Sequence, residues 1–216
     1  TGLSMSILIG VLAAGVSAVM ALILGICAAT LGKKVDSAIS FAIDTVMGIP
    51  HILLLILISY AMGKGLKGVI AGVALTHWTS LARLIRGEVM QLRESEYIQI
   101  AGKLGLGKWE IAKKHIVPHV LPQFIVGLVL LFPHAILHES SITFLGFGLS
   151  TEQPAIGVIL SESMRYLIMG KWWLAVFPGM MLVLTVVLFE KGGTALRQLL
   201  DPGSVHIERI AGGAVR

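Results

Sequence analysis

Charge is scarce in this chain. Asp, Glu, Lys and Arg make up 13% of its 216 residues, against roughly a quarter in a soluble domain. Cysteine is nearly absent: Cys27 stands alone in an apolar run. A single cysteine excludes a disulfide framework and a cysteine-based metal centre, and a small residue buried in a membrane is what such a thiol resembles. No glycine-rich phosphate loop with its lysine occurs, so the chain is not its own ATPase. An intramembrane hydrolase would need a nucleophile–base set or a full set of metal ligands, and neither stands at usable spacing. His138-Glu139 is followed at position 142 by Ile142, so it is no HExxH metalloprotease motif.

Apolar residues are what the chain has in abundance, 56% of the total, with a mean hydropathy of +0.88. These values describe a polytopic membrane protein with no room for a soluble domain. The formal charge of +5 fits the basic bias of cytoplasmic loops, and nucleic acid is not expected as a partner.

About twenty apolar residues cross a bilayer as a helix. Five stretches qualify: about 5–31, 37–62 with Pro50 inside, 66–84, 119–138 and 172–189. Helices are expected because backbone groups in lipid must be satisfied within the segment. The stretch from Arg83 to Lys114 is strongly basic, whereas that from Glu139 to Lys171 is not. The first is therefore expected in the cytoplasm and the second outside. Trp172 and Trp173 then lie at the external interface and Trp78 near the internal one, where aromatic side chains anchor. Thr1 comes out external with no signal peptide before it, so a further helix is expected ahead of Thr1.

The basic loop, residues 94–118, is the most patterned part of the chain. The third span is expected to continue as a polar helix to about Leu92. Glu94-Ser95-Glu96 reads as a helix start, followed by a short helix over about 97–104. Gly105-Leu106-Gly107 should bend the chain. A second short helix over about 108–116 should stop before Pro118, because the residue preceding a proline avoids the helical region.

This loop resembles the cytoplasmic docking loop of binding-protein-dependent ABC importer permeases. That pattern has a small residue, a glycine four positions on and a proline thirteen beyond the glycine, places held here by Ala101, Gly105 and Pro118. Tyr97-Ile98, His115-Ile-Val-Pro118, Phe144-Leu-Gly-Phe-Gly148 and Leu200-Asp-Pro202 resemble the dipeptide, oligopeptide and nickel branch, so the likeness covers nearly the whole chain. One departure is plain: the acid that names the family's loop is Gln99 here, followed by Ile100.

The resemblance implies an all-α, polytopic transmembrane bundle like that of type I ABC importer permeases, a single permease domain over about 1–210 with an additional N-terminal helix before it. It implies an inner-membrane location, with ATP-binding subunits, a second permease subunit, an extracytoplasmic substrate-binding protein and membrane lipid as partners. The chain itself would need no cofactor, since ATP binds the partner. Gln99, Ala101, Gly102, Gly105, Gly107 and Pro118 would couple the ATPase to the spans.

Ionisable groups inside a membrane mark a pathway or a partner by default. Asp44 and His51 lie seven apart in the second stretch, so they are expected to share one helix face. His77 lies in the third, and Glu190 ends the fifth. His134 and His138 are four apart, so both project to one side of the fourth. Two imidazoles so placed can share a transition metal transiently, and Glu139 follows directly. The expected substrate path is therefore Asp44, His51, His134, His138 and Glu139. Nickel permeases resemble the chain at this pair, which makes nickel or its chelate the expected cargo and a di- or oligopeptide the alternative. Two packing histidines without metal are the plain reading. An ion-coupled secondary transporter, with Asp44 and Glu190 binding protons or sodium, is the reading from another class. His206 is isolated.

Overall fold

The computed structural model describes residues 2–200; Asp201, Pro202, His206 and the remainder of the expected 1–210 domain lie outside the described residues. The side chain of Lys108 is also outside them. Every described element is helical: α1 (Gly2–Thr30), α2 (Lys33–Gly48), α3 (His51–Ala61), α4 (Gly65–Glu94), α5 (Glu96–Lys103), α6 (Lys108–Ile111), a π-turn (Ala112–Ile116), α7 (Val117–Phe144), α8 (Ile156–Leu167) and α9 (Trp173–Leu200). Four of the helical stretches are long and apolar enough to span a membrane, and the bent pair α2–α3 makes a fifth if counted as one.

Small residues bring α1 against α4. Ile9, Ala13, Ser17, Ala21, Gly25 and Ala29 recur every fourth position and are all buried. A Cβ added at Gly25 would stand 2.9 Å from the Ala82 carbonyl oxygen. Lipid tails are as apolar as any side chain, so in a membrane such close backbone approach is what drives helices together.

The apolar interior has two parts. One joins Ile9, Ala13, Val69, Val73, Phe132 and Ile136 with Leu55 and the residues around Ile156. The other joins Ala18, Ala21, Trp78, Leu81, Ile85 and Val89 with Ile43, Ile98 and Val120 at the loop end of the bundle. His77 follows Val73 and precedes Trp78 on α4, so it sits where the two parts meet.

Four expectations need correction. The second stretch is not one helix: α2 and α3 meet at 99°. Gly48 ends α2, and Ile49 takes an extended conformation (φ −91°, ψ 136°), the shape that a residue before proline prefers. Asp44 and His51 therefore do not share a face.

Pro118, by contrast, does not stop a helix. The π-turn carries the chain from α6 into α7, and the helical stretch runs unbroken over Trp109–Phe144. The π-turn just ahead of it, with the Val117 amide reaching back to the Ala112 carbonyl, is the local adjustment that accommodates a residue without a donor.

Trp78 is not an interface anchor. It is buried, with its indole N–H donating to the Leu75 carbonyl at 2.9 Å. The stretch between the fourth and fifth spans holds α8, whose twelve residues are too few to cross a bilayer and were not expected as an element.

The Phe144–Gly148 segment straps this end of the bundle together. Ser59 donates to the Phe147 carbonyl at 2.7 Å, and the Gly65 amide donates to the Gly148 carbonyl at 3.0 Å. The turn lies so close to α7 that a Cβ on Gly148 would fall 2.1 Å from the Thr143 hydroxyl.

Candidate functional site

The break between α2 and α3 lines a cavity of about 630 Å³, within the roughly 300–1,000 Å³ typical of small-molecule pockets. Non-helical backbone at membrane depth is tolerated only inside protein or against a water-filled cavity. Here Gly48, Ile49 and Pro50 form one wall. Thr76, His77, Thr79 and Ser80 of α4 form another, with Leu131, His134 and His138 of α7 opposite.

Three of these imidazoles touch. The ring centroids of His51 and His77 are 4.7 Å apart, those of His51 and His138 4.5 Å, and those of His77 and His138 4.9 Å. One ring nitrogen from each lies within 4.8 Å of those of the other two. His134 lines the same cavity beside them.

The tautomer of His77 follows from its neighbours. Its Nδ1 lies 3.0 Å from the Val73 carbonyl oxygen. A carbonyl can only accept, so Nδ1 carries the proton and Nε2 keeps its lone pair. The Thr76 hydroxyl, itself donating to Gly72 at 2.9 Å, buttresses the same nitrogen at 3.0 Å. His77 is 8% exposed, and its Nε2 is buried with no partner among the described residues; the Nε2 of His51 is in the same state. A buried polar atom without a hydrogen bond costs about 1–3 kcal/mol, so both nitrogens are primed for whatever fills the cavity.

The expected path residues divide accordingly. His51, His134 and His138 come together, joined by His77, which the expected path omitted. The pairing differs from expectation, because the close partners of His138 are His51 and His77 on other helices.

Asp44 is elsewhere. It pairs with Arg83 at 2.6 Å, in a separate cavity of about 300 Å³ lined also by Ser40, Ile43 and Arg86. Beside it Arg86 grips Asp36 through two nitrogens, the Nη2 contact measuring 2.7 Å. Glu139 is fully buried and is not among the residues that line the histidine cavity. It accepts hydrogen bonds from Ser140 at 3.2 Å and Thr143 at 3.1 Å, with Ser6 of α1 as a third partner. Glu190 is exposed on α9.

The loop forms the second candidate site. α5 ends in a left-handed Gly105 (φ +91°), with the Leu106 amide donating to the Ala101 carbonyl and the Gly105 amide to the Gly102 carbonyl, both at 3.2 Å. This is a Schellman cap, which glycine favours because only it takes that φ without strain. Ser95 precedes α5 in an extended conformation and Glu96 supplies the acidic first turn.

Ala101 is buried within the loop, so it holds the knob's own packing together. Gln99 and Gly102 are exposed, as is Gly107; the Gln99 side chain donates back to the Glu94 carbonyl at 3.1 Å. Tyr97 and His115 meet edge to face at 6.0 Å and brace α5 against the π-turn. What sequence reasoning missed is the apolar rim: Ile100, Leu104 and Trp109 are 54%, 76% and 81% exposed. Large apolar side chains on a basic loop were a signal that could have been read.

Comparison with known proteins places this geometry. Residues 21–204 match the model of the family described as binding-protein-dependent transport system inner membrane component. The dipeptide transport system permease protein DppC of Bacillus subtilis (strain 168) is 32% identical over 201 residues, which are 93% of this chain and 63% of that protein. The oligopeptide transport system permease protein OppC of the same organism is 31% identical, with 93% and 66% covered. The probable D,D-dipeptide permease DdpC of Escherichia coli (strain K12) is 29% identical, with 93% and 67% covered. The chain thus spans about two thirds or less of the length of these relatives. Among solved structures, an inward-facing form of the MetNI methionine ABC transporter superposes with a TM-score of 0.73 at 17% identity, covering 92% of this chain and 94% of that one. An amino acid ABC transporter crystallised with histidines gives 0.67 at 18% identity, with 91% of each covered. At such identities these two likenesses speak to the fold.

Proposed function

This chain belongs to the binding-protein-dependent transport system inner membrane component family, and from that membership we propose that it is the permease subunit of an ATP-driven importer. It is a multi-pass inner-membrane protein, and it carries the path for the cargo while separate subunits hydrolyse ATP. A second permease subunit completes the path, and an external binding protein delivers the cargo. The loop around Gly105 faces the cytoplasm and docks on the ATPase.

The observation that carries this reading is the exposed apolar rim of the loop, Ile100, Leu104 and Trp109, beside a rigid cap. Such a surface on a short basic knob is what a cleft in a soluble partner would bury. ATP-driven closure of the partner would move the knob, and the spans would alternate between two packed states.

The relatives are named for dipeptides and oligopeptides, which favours a peptide as cargo. Nickel or a nickel chelate is the second reading, favoured by the imidazoles that line the cavity. The test is uptake into liposomes holding the reassembled transporter, with a radiolabelled dipeptide and radiolabelled nickel offered in turn. ATP-dependent uptake of either supports the importer and identifies its cargo. Uptake driven by an ion gradient without ATP would overturn it in favour of a secondary transporter.

A further inference from the structure

We propose that His51, His77 and His138 form a binding site for a late first-row divalent transition ion, ligated through Nε2 of His77 and of His51. As a station on a cargo path, the site rests on the importer reading; as a metal site, it stands on the geometry alone.

Three features of the cavity carry the inference. The first is convergence. A ring nitrogen from each of three helices lies within 4.8 Å of the others. Imidazoles bound to one tetrahedral ion at about 2.0–2.1 Å stand roughly 3.3 Å apart, so the rings need close by only ~1.5 Å. The second is preparation. Val73 and Thr76 hold the His77 ring through Nδ1, which leaves an Nε2 lone pair that is buried and unpartnered. Metal-ligating histidines are oriented in just this way, by a hydrogen bond at the other nitrogen. The Nε2 of His51 is likewise buried, with no partner among the described residues.

The third is chemistry. Among the described residues no Asp or Glu lines the cavity, and the neighbouring Glu139 is committed to Ser140 and Thr143. Hard ions such as calcium and magnesium require oxygen ligands, whereas neutral imidazole suits nickel, copper, cobalt and zinc. Three neutral ligands and no counter-charge also make a weak site. A structural zinc site is closed by four ligands, but an ion in transit must be held loosely enough to leave. His134 on the same wall, one turn before His138, is placed to receive or pass on the ion.

The test is a cobalt chloride titration of the intact transporter in detergent, read by the visible absorption of tetrahedrally bound cobalt. The unaltered protein should bind one ion per chain. His77→Ala and His51→Gln should each weaken binding by about tenfold or more. His119→Ala, on the exposed start of α7, should leave the titration unchanged. Should His77→Ala fail to assemble, His51→Gln and His138→Gln decide the matter, since each keeps a polar side chain at its cavity wall. Absence of the band in the unaltered protein, or unchanged affinity in the cavity variants, would overturn the site. ATP-driven uptake by the same protein reassembled in liposomes reports on the importer separately: cobalt binding lost in the variants, with no ATP-driven uptake of any cargo by the unaltered protein, would uphold the site and overturn the importer.

Discussion

The loop and the histidine cavity are built in opposite ways. The loop is contiguous in the chain, exposed, and apolar at its rim, with Leu104 and Trp109 facing outward. The cavity is assembled from the end of α2, α3, α4 and α7, open on one side, with imidazoles at its centre. One suits a protein partner arriving from solution, and the other suits a small solute. They are nevertheless joined by two rods. α4 carries His77 and ends at Glu94, where the loop begins; the stretch Trp109–Phe144 leaves the loop and carries His134 and His138. A force on the loop therefore reaches two walls of the cavity directly.

The strongest way to break the loop alone is at its cap. Gly105→Val puts a β-branched residue at a φ of +91°, where glycine is the only comfortable occupant. ATPase co-purification should be lost and ATP-driven uptake should fall by about tenfold or more, the equivalent of 1.4 kcal/mol. Cobalt binding in the cavity should stay intact. Retained docking in this variant would remove the loop from the coupling role.

A change that harms both regions should act through their shared scaffold. Gly25→Leu inserts a side chain where even a Cβ lies 2.9 Å from the Ala82 oxygen. Overpacking of this kind costs about 1–3 kcal/mol, read as a lower melting temperature in detergent, with cobalt binding and uptake falling together. A smaller effect is expected from Asp36→Asn. Its bidentate ion pair with Arg86 ties α2 to α4 with about a quarter of each side chain exposed, so the loss should be about 1 kcal/mol or less. The smallest is Lys114→Ala. Its pair with Glu110 at 2.5 Å lies in solvent, and neither melting temperature nor uptake should change.

Local chemistry explains which features could be read from the residues. The loop's cap, its helix start at Ser95-Glu96 and the basic charge around it are all set by neighbours in the chain, and the structure has each of them. The long spans followed from hydropathy in the same way. Prolines were harder, because the residue alone does not decide. Pro50, behind Gly48, breaks a span, whereas Pro118, Pro122, Pro133 and Pro178 sit within helical stretches. The cavity was legible only in part. The spacing of His134 and His138 shows that they share a helix face, but not which other helix that face meets. His77 lies 26 residues from His51 and 61 from His138, and only the packing of α3, α4 and α7 brings the three rings to contact. Asp44 and Glu139 looked like path residues because charge in a span is costly; each instead found its compensation locally, in Arg83 and in three hydroxyls.

The central claim is that the loop supplies coupling and the imidazole cavity holds the ion, as separable tasks on one bundle. The most direct test measures cobalt binding and ATP-driven uptake on the same reassembled transporter bearing either Leu104→Glu or His77→Ala. Leu104→Glu should abolish uptake and leave cobalt affinity unchanged, whereas His77→Ala should weaken cobalt binding while the ATPase still docks. Loss of cobalt binding in the loop variant, or loss of docking in the cavity variant, would contradict the account.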